Sequence, residues 1–386
     1  MLRHVCLRNL TNLVLVVLTL FAVASASDFR YLVYLGTYTD KGSQGIYAYR
    51  FDPSSGELGD IGLAATTSNP SFLAVAANNT YLYALNEINK FDASETGAVT
   101  TYSLDRNSGK LTQLQQVSSL GPGPAHLSLD RAGKFVLVAN YDGGSIAVFP
   151  IEKDGTLGTH TAFVQHTGSS ANKDRQSSPH AHQIQATADN KFVLVADLGL
   201  DQLLVYRFDA KKGALSPASP PYVKVSPGSG PRHFAIAPSG RYVYLVNELS
   251  STVIVYSLDN SSGRLKELQT ISTLPEGFKG ENTTAEITTD RPGRFLYVSN
   301  RGDDSIAVFA IDQGNGKLSE VERVKTGGKE PRHFTLDPTG KWLFAANQNS
   351  NDVRIFRVDP ESGRLTPTSH TMQVNSPVCV VFVPIQ

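Results

Sequence analysis

One phrase returns along the chain: a Pro-x-His or similar start, a few small or apolar residues, a turn ending in Gly and a basic residue, an aromatic-rich apolar run, then Asn. Its fullest copies are residues 231–247 (PRHFAIAPSGRYVYLVN), 331–347 (PRHFTLDPTGKWLFAAN) and 124–140 (PAHLSLDRAGKFVLVAN). Weaker copies begin at Pro70, Ala181 and Thr284. A period of about 50 residues lies in the range of propeller-type β repeats. The period constrains the architecture before any single residue is interpreted.

Within the copy at Pro231, the pattern predicts strands over 233–237, 242–246, 253–258 and 265–271. Turns rich in Pro, Ser, Asn and Gly separate them. Short β-branched and aromatic runs with this punctuation are strand signals. A four-stranded sheet with two apolar faces cannot bury both alone, so neighbouring units must pack face to face. Six complete units follow from the first strands at Pro70, Pro124, Ala181, Pro231, Thr284 and Pro331. The seventh is expected from both ends of the chain. Residues 377–383 (PVCVVFV) would be its first strand, and 31–35 (YLVYL) and 45–51 (GIYAYRF) its second and third. The expected fold class is all-β: a single seven-bladed β-propeller over residues 28–386, with no sheet edge left open at the join.

Residues 1–26 have the pattern of an export signal. Arg3 and Arg8 precede an apolar stretch over 13–23, and Ala24-Ser25-Ala26 is a small-residue cleavage site. The stretch is short for a membrane span. The mature chain is therefore expected outside the cytoplasm, secreted or periplasmic, as a monomer without stable membrane association. Cleavage would remove Cys6 and leave Cys379 alone, so no internal disulfide could form. Asn78, Asn260 and Asn282 begin N-x-S/T triplets. Lys and Arg number 35, as do Asp and Glu, and no basic stripe exists. Nucleic-acid and anionic-membrane partners are thus not supported. No HExxH, CxxC or phosphate-binding loop occurs, and neither a metal nor a cofactor is expected.

In a propeller the first strand of each blade lines the axial channel and the second runs antiparallel to it. The start of strand one and the end of strand two therefore share one channel mouth. This places Arg232 and His233 beside Asn247 and Glu248, and Arg332 and His333 beside Asn347. It places His126 with Asn140, His180 and His182 with Asp197, and Glu286 with Asn300 and Arg301. Five of the nine histidines fall on this ring. Arginine gives bidentate contacts to carboxylate or phosphate, and histidine and glutamate can exchange protons. Such a ring suits an anionic or carbonyl-rich small molecule. The recurring Asn140, Asn247, Asn300 and Asn347 are expected to cap turns, the recurring histidines to bridge blades, and Cys379 to be a buried apolar residue. His180, Glu248 and Arg301 break the repeat and are the sharper candidates.

The segments YLGTYT (34–39), GIYAYRFDPSSGEL, GPAHLSLD, SSPHAHQ, VADLGLDQLLVYRFD, GSGPRHFA, YLVNELSSTV, VSNRGDDSIAVF and EPRHFTLDPTG carry a likeness over most of the chain. The sequence resembles the propeller-type 6-phosphogluconolactonase family, the lactonase or cycloisomerase-like propellers, which includes the fungal carboxy-muconate cyclase. The resemblance implies a seven-bladed fold and lactone chemistry without an obligatory metal. In the muconate cyclase branch, a histidine, two arginines and a glutamate are proposed at the channel mouth. The matching positions are PHAH (His180 or His182), PRH (Arg232), VNE (Glu248) and SNR (Arg301). The expected catalytic set is His182, Glu248, Arg232 and Arg301, with His180, His126, His233, Arg332 and His333 binding substrate. Hydrolysis of a sugar lactone, phosphorylated or not, is the leading reading. A lactonising isomerase would use the same groups in reverse, and a non-catalytic binding propeller shares the fold.

Overall fold

A computed structural model describes residues 28–385. The expected export segment lies outside the described residues. Seven four-stranded antiparallel sheets account for every strand, and no helix occurs among the described residues. Blade 1 runs from Leu73 to Ser118, blade 2 from Pro124 to Gln165 and blade 3 from Ala181 to Lys224. Blade 4 runs from Pro231 to Ser272, blade 5 from Thr283 to Lys325 and blade 6 from Pro331 to Gln373. Blade 7 is built from both ends of the chain. Its inner strand Pro377–Pro384 pairs with Tyr31–Thr37, which is followed by Gly45–Phe51 and Leu58–Thr66.

The N-terminal stretch thus supplies three strands of that blade, one more than the sequence pattern predicted. The extra strand, Leu58–Thr66, is outermost and mostly half-buried. It shows little of the apolar signal that marks a covered strand. The second strands show the opposite pattern. Phe135–Asn140 and Trp342–Asn347 are buried at every residue. Both faces of each blade are covered by neighbours, so apolar residues run consecutively instead of alternating.

Seven apolar clusters form, one in each interface between adjacent blades. A buried polar latch recurs across them. Tyr34, Tyr83, Tyr244 and Tyr297, all on second strands, donate their hydroxyls to the carbonyls of Gly109, Gly155, Gly316 and Gly363 on the next blade, at 2.9 to 3.2 Å. In blade 6 the Trp342 indole N–H does the same to Pro53 at 3.0 Å. Each accepting glycine sits at positive φ, as at Gly109 (76°), a conformation that costs glycine nothing. The recurring asparagines bridge strands two and three. Asn140, Asn247, Asn300 and Asn347 donate to Ser145, Thr252, Ser305 and Asp352, each five residues on.

Candidate active site

A bulge of one extra residue recurs at the corresponding place in six of the seven blades and creates the site. Pro231 pairs with Asn247 and His233 with Val246, leaving Arg232 unpaired. The same break leaves Arg332, Ala125 and His182 unpaired in their blades. An extra residue in one strand of a pair re-aims a side chain and ends regular pairing. Here it sets two neighbouring repeat positions at different heights along the axis.

By this register the axis carries tiers. The upper tier includes Ser71, Ala125, His182, Arg232, Arg332 and Val378. The lower tier, at the repeat's histidine position, holds Phe72, His126, Gln183, His233, Glu286, His333 and Cys379. His182 therefore sits level with Arg232 and Arg332, and Gln183 takes the histidine position of blade 3. A rim above them is formed by the residues after each second-strand Asn or Asp, including Glu87, Tyr141, Glu248 and Arg301.

The rim and upper tier enclose a cup of about 290 Å³ lined by Glu87, Ala125, Tyr141, Asp142, Arg175, His182, Glu248, Thr283, Arg301 and Arg332. Glu248 is its electrostatic centre. Oε1 accepts from Arg175 Nη2 at 2.6 Å, and Oε2 lies 3.1 Å from both Arg232 Nε and Arg301 Nη2. Burial alone would push the Glu248 carboxyl up. The guanidiniums of Arg301, Arg232 and Arg175 outweigh burial and hold it at about 2. Burial, with Arg301 and Arg332 beside it, brings the Arg232 guanidinium down to about 9, which leaves it charged at neutral pH.

Two of these arginines are fixed by the sheet. Arg232 Nη1 donates to the Ala285 carbonyl at 2.7 Å, and Arg301 Nη2 to that of Thr284 at 3.0 Å. The Nε of each is buried without a well-aligned acceptor. For Arg232 the 3.1 Å approach to Glu248 is therefore a charge contact rather than a directed hydrogen bond. Arg332 is held separately. Its Nη2 donates to Tyr38 Oη at 2.7 Å, and the Tyr38 hydroxyl donates to Glu87 at 2.8 Å.

Burial first, then nearby positive charge, pushes His182 well below its ordinary value. His182 is thus a neutral imidazole on the cup wall. His180 lies behind that wall: its Nδ1 meets the Tyr141 carbonyl at 2.9 Å, and its ring stacks on the Tyr141 ring at 4.4 Å. His233 borders a narrow chamber of about 10 Å³ beneath the cup, with Arg232, Arg332 and His182. His126 and His333 border a third space, of about 420 Å³, at the opposite mouth. The nine candidate residues are thus divided by height. His182, Glu248, Arg301 and Arg332 line the cup, His180 packs behind its wall against Tyr141, Arg232 and His233 lie just below, and His126 and His333 reach the far side.

Of the blade-to-blade bridges expected from the recurring histidines, one is well formed. His233 Nδ1 meets Glu286 Oε2 on the next blade at 3.1 Å. His333 Nε2 lies 3.6 Å from the same oxygen. Cys379 is fully buried, and burial pushes its thiol up to about 12.

Arg175, Tyr141 and Tyr38 were not among the candidates. Arg175 comes from residues 166–180, the longest connection between blades. That segment is pinned by His166, whose ring contacts Asp197 Oδ2 at 2.6 Å and Tyr206 Oη at 3.0 Å. An unusually long connection in an otherwise regular repeat is the signal that could have flagged it. Among the described residues, no group of three or more His, Cys, Asp or Glu side chains could hold a metal ion.

Comparison with known proteins agrees with the seven-bladed fold. Residues 32–382 match the family model described as Lactonase, 7-bladed beta-propeller. The chain is 40% identical over 305 residues to the 6-phosphogluconolactonase of Bacillus subtilis, covering 79% of this chain and 84% of the relative. It is 34% identical over 307 residues to that of Formosa agariphila, covering 78% and 85%. The solved periplasmic gluconolactonase of Pseudomonas aeruginosa superposes with a TM-score of 0.86 at 38% identity, over 92% of this chain and 99% of that one. The chain belongs to the seven-bladed β-propeller lactonase family.

Proposed function

We propose that this protein hydrolyses a sugar lactone in the cup, with 6-phosphogluconolactone and gluconolactone as the substrates to test first. The observation that carries this reading is the grouping of Arg232, Arg301 and Arg175 around Glu248 beside a neutral His182. Relatives named for these two lactones support the substrate class.

In this mechanism Arg301 and Arg232 face the acyl oxygen and stabilise the oxyanion as water adds. Glu248 is their fixed counter-anion. Held at about 2, it is a poor proton acceptor, so its role is to aim the guanidiniums. His182, the neutral imidazole on the cup wall, is the proton acceptor there, its basicity lowered by burial and by Arg232: it takes a proton from the attacking water and returns one to the ring oxygen as the acyl–oxygen bond breaks. Arg175 and Arg332 meet the substrate's anionic or hydroxyl groups at the rim. No metal takes part in this scheme.

We place the mature protein outside the cytoplasm as a monomer, after cleavage at Ala26. The basic–apolar–AxA pattern of the first 26 residues supports export, as does the periplasmic relative. Assay of the mature chain against gluconolactones and muconates separates hydrolysis from the isomerising alternative. Turnover of muconates alone would overturn the hydrolytic reading, and absence of turnover on both would favour a binding propeller.

A further inference from the structure

We propose that the propeller axis is a proton relay, carrying the acid proton of hydrolysis from His182 through His233 and Glu286 to the opposite mouth. The proposal rests on the lactonase reading above. Adding water to a lactone puts oxygen on the acyl carbon and breaks the ring C–O bond. The freed ring oxygen keeps one of the water's protons. The new carboxyl ionises at neutral pH, and its proton must leave. Product filling the cup, with Arg175, Arg301 and Arg332 on its lining, hinders exit that way; Arg232 and Arg332 also border the chamber below, so the proton crosses it only in transit to the Glu286 carboxylate.

The groups below the cup form the alternative path. His182 borders both the cup and the chamber beneath it. Its Nδ1 is buried without a partner, and so is Nε2 of His233. The two rings meet edge to face, 5.0 Å between centroids, and share the chamber of about 10 Å³. A space of that size is the lower limit for one water molecule, which would join the two orphaned nitrogens. On the far side of the His233 ring, Nδ1 lies 3.1 Å from Glu286 Oε2. With Glu286 ionised at rest, the relay has the proton on Nδ1 and leaves Nε2 as the acceptor. A proton arriving at Nε2 is matched by one leaving Nδ1 for Glu286, so the imidazole ends as it began after a ring turnover.

Glu286 suits the receiving end. Burial raises its carboxyl above the ordinary value, against the pull of His333, Arg232 and the Ile287 N–H. It borders both the chamber and the 420 Å³ space that opens at the opposite mouth. His333 Nε2, 3.6 Å from the same oxygen, faces that exit. Of the other carboxylates at hand, Glu248 is tied to three guanidiniums, and Glu87, which borders the cup and the chamber, is held on the cup side by the Tyr38 hydroxyl.

The test is Glu286→Gln, which keeps an acceptor oxygen for His233 but cannot take up a proton. In weak buffer, lactone turnover should fall about 100-fold in kcat, the lower end for a lost proton-transfer group, with KM unchanged. The solvent deuterium isotope effect on kcat should rise, and added imidazole, small enough to enter the opposite mouth, should restore the rate. An unchanged kcat and isotope effect, or a loss that imidazole does not restore, would overturn the relay. Nitrogen-15 shifts of His233 give a readout independent of activity. The relay requires protonated Nδ1 and bare Nε2 in the resting protein, and the reverse tautomer would contradict it even if the lactonase reading stands. If the wild type turns over no lactone, the reading fails first, and the tautomer result alone decides whether the wire exists.

Discussion

Arg175 Nη2 and Glu248 Oε1 meet at 2.6 Å across the cup, although one lies on a long connection and the other at the end of a blade 4 strand. The pair ties a segment with no repeat counterpart to the centre of the site. Arg175 is 40% exposed and Glu248 only 6%. Removing Arg175 therefore opens the rim without stripping the buried carboxylate of its other two partners.

Arg175→Ala should accordingly raise KM for an anionic lactone by about 10-fold, the loss of one charge-assisted contact. The melting temperature should hardly move, because a half-exposed ion pair contributes little to stability. Steady-state kinetics with a melting curve checks both. A large fall in kcat at constant KM would place Arg175 in the chemical step instead.

Glu248→Gln leaves Arg232 and Arg301 buried around a neutral amide. Breaking a buried charge cluster from one side costs about 3–5 kcal/mol, so the variant should melt well below wild type. Its kcat should also fall, by about 100-fold, because the guanidiniums lose their alignment. Chemical denaturation and initial rates measure the two effects separately.

The same carboxylate sets an acid limb of stability. Glu248 is at about 2 in the folded chain against about 4.3 when unfolded. Its contribution is complete above the unfolded value and is lost as pH falls toward 2. That difference is worth about 3 kcal/mol. Denaturation curves between pH 5 and 2, windows set by these two values, should show a slope in wild type that Glu248→Gln lacks.

His333 adds a second limb at higher pH. Burial first, with His233 and Arg232 assisting, lowers its imidazole to about 4 against the pull of Glu286. Unfolded, it takes up a proton near 6.5. Its contribution is therefore present above about 6.5 and lost as pH falls toward 4. Replacing it by Gln should flatten the stability curve over that range, and an unaltered slope would show that His333 is charged in the fold.

The seven-bladed ring and its closure were legible because the repeat is long and its turn chemistry regular. The mouth residues Glu248 and Arg301 were legible for the opposite reason, as departures from the repeat. Heights along the axis were not, because the bulge that lifts Arg232 above His233 leaves no compositional trace. Without it, His182 reads as the counterpart of His233, when its true counterpart is Arg232. His126 and His333 were assigned to the cup for the same reason, yet they border the opposite mouth. His180 follows the turn rather than the strand and packs behind Tyr141. Arg175 reaches the cup through a loop whose course only tertiary contacts decide.

The most direct measurement is lactone hydrolysis by the wild-type protein beside its Arg232→Ala, Glu248→Ala double variant, with folding of both verified by circular dichroism. The account predicts turnover of a gluconolactone by wild type and a loss of about 1,000-fold or more in the folded double variant. A folded double variant that keeps full lactonase activity would contradict it.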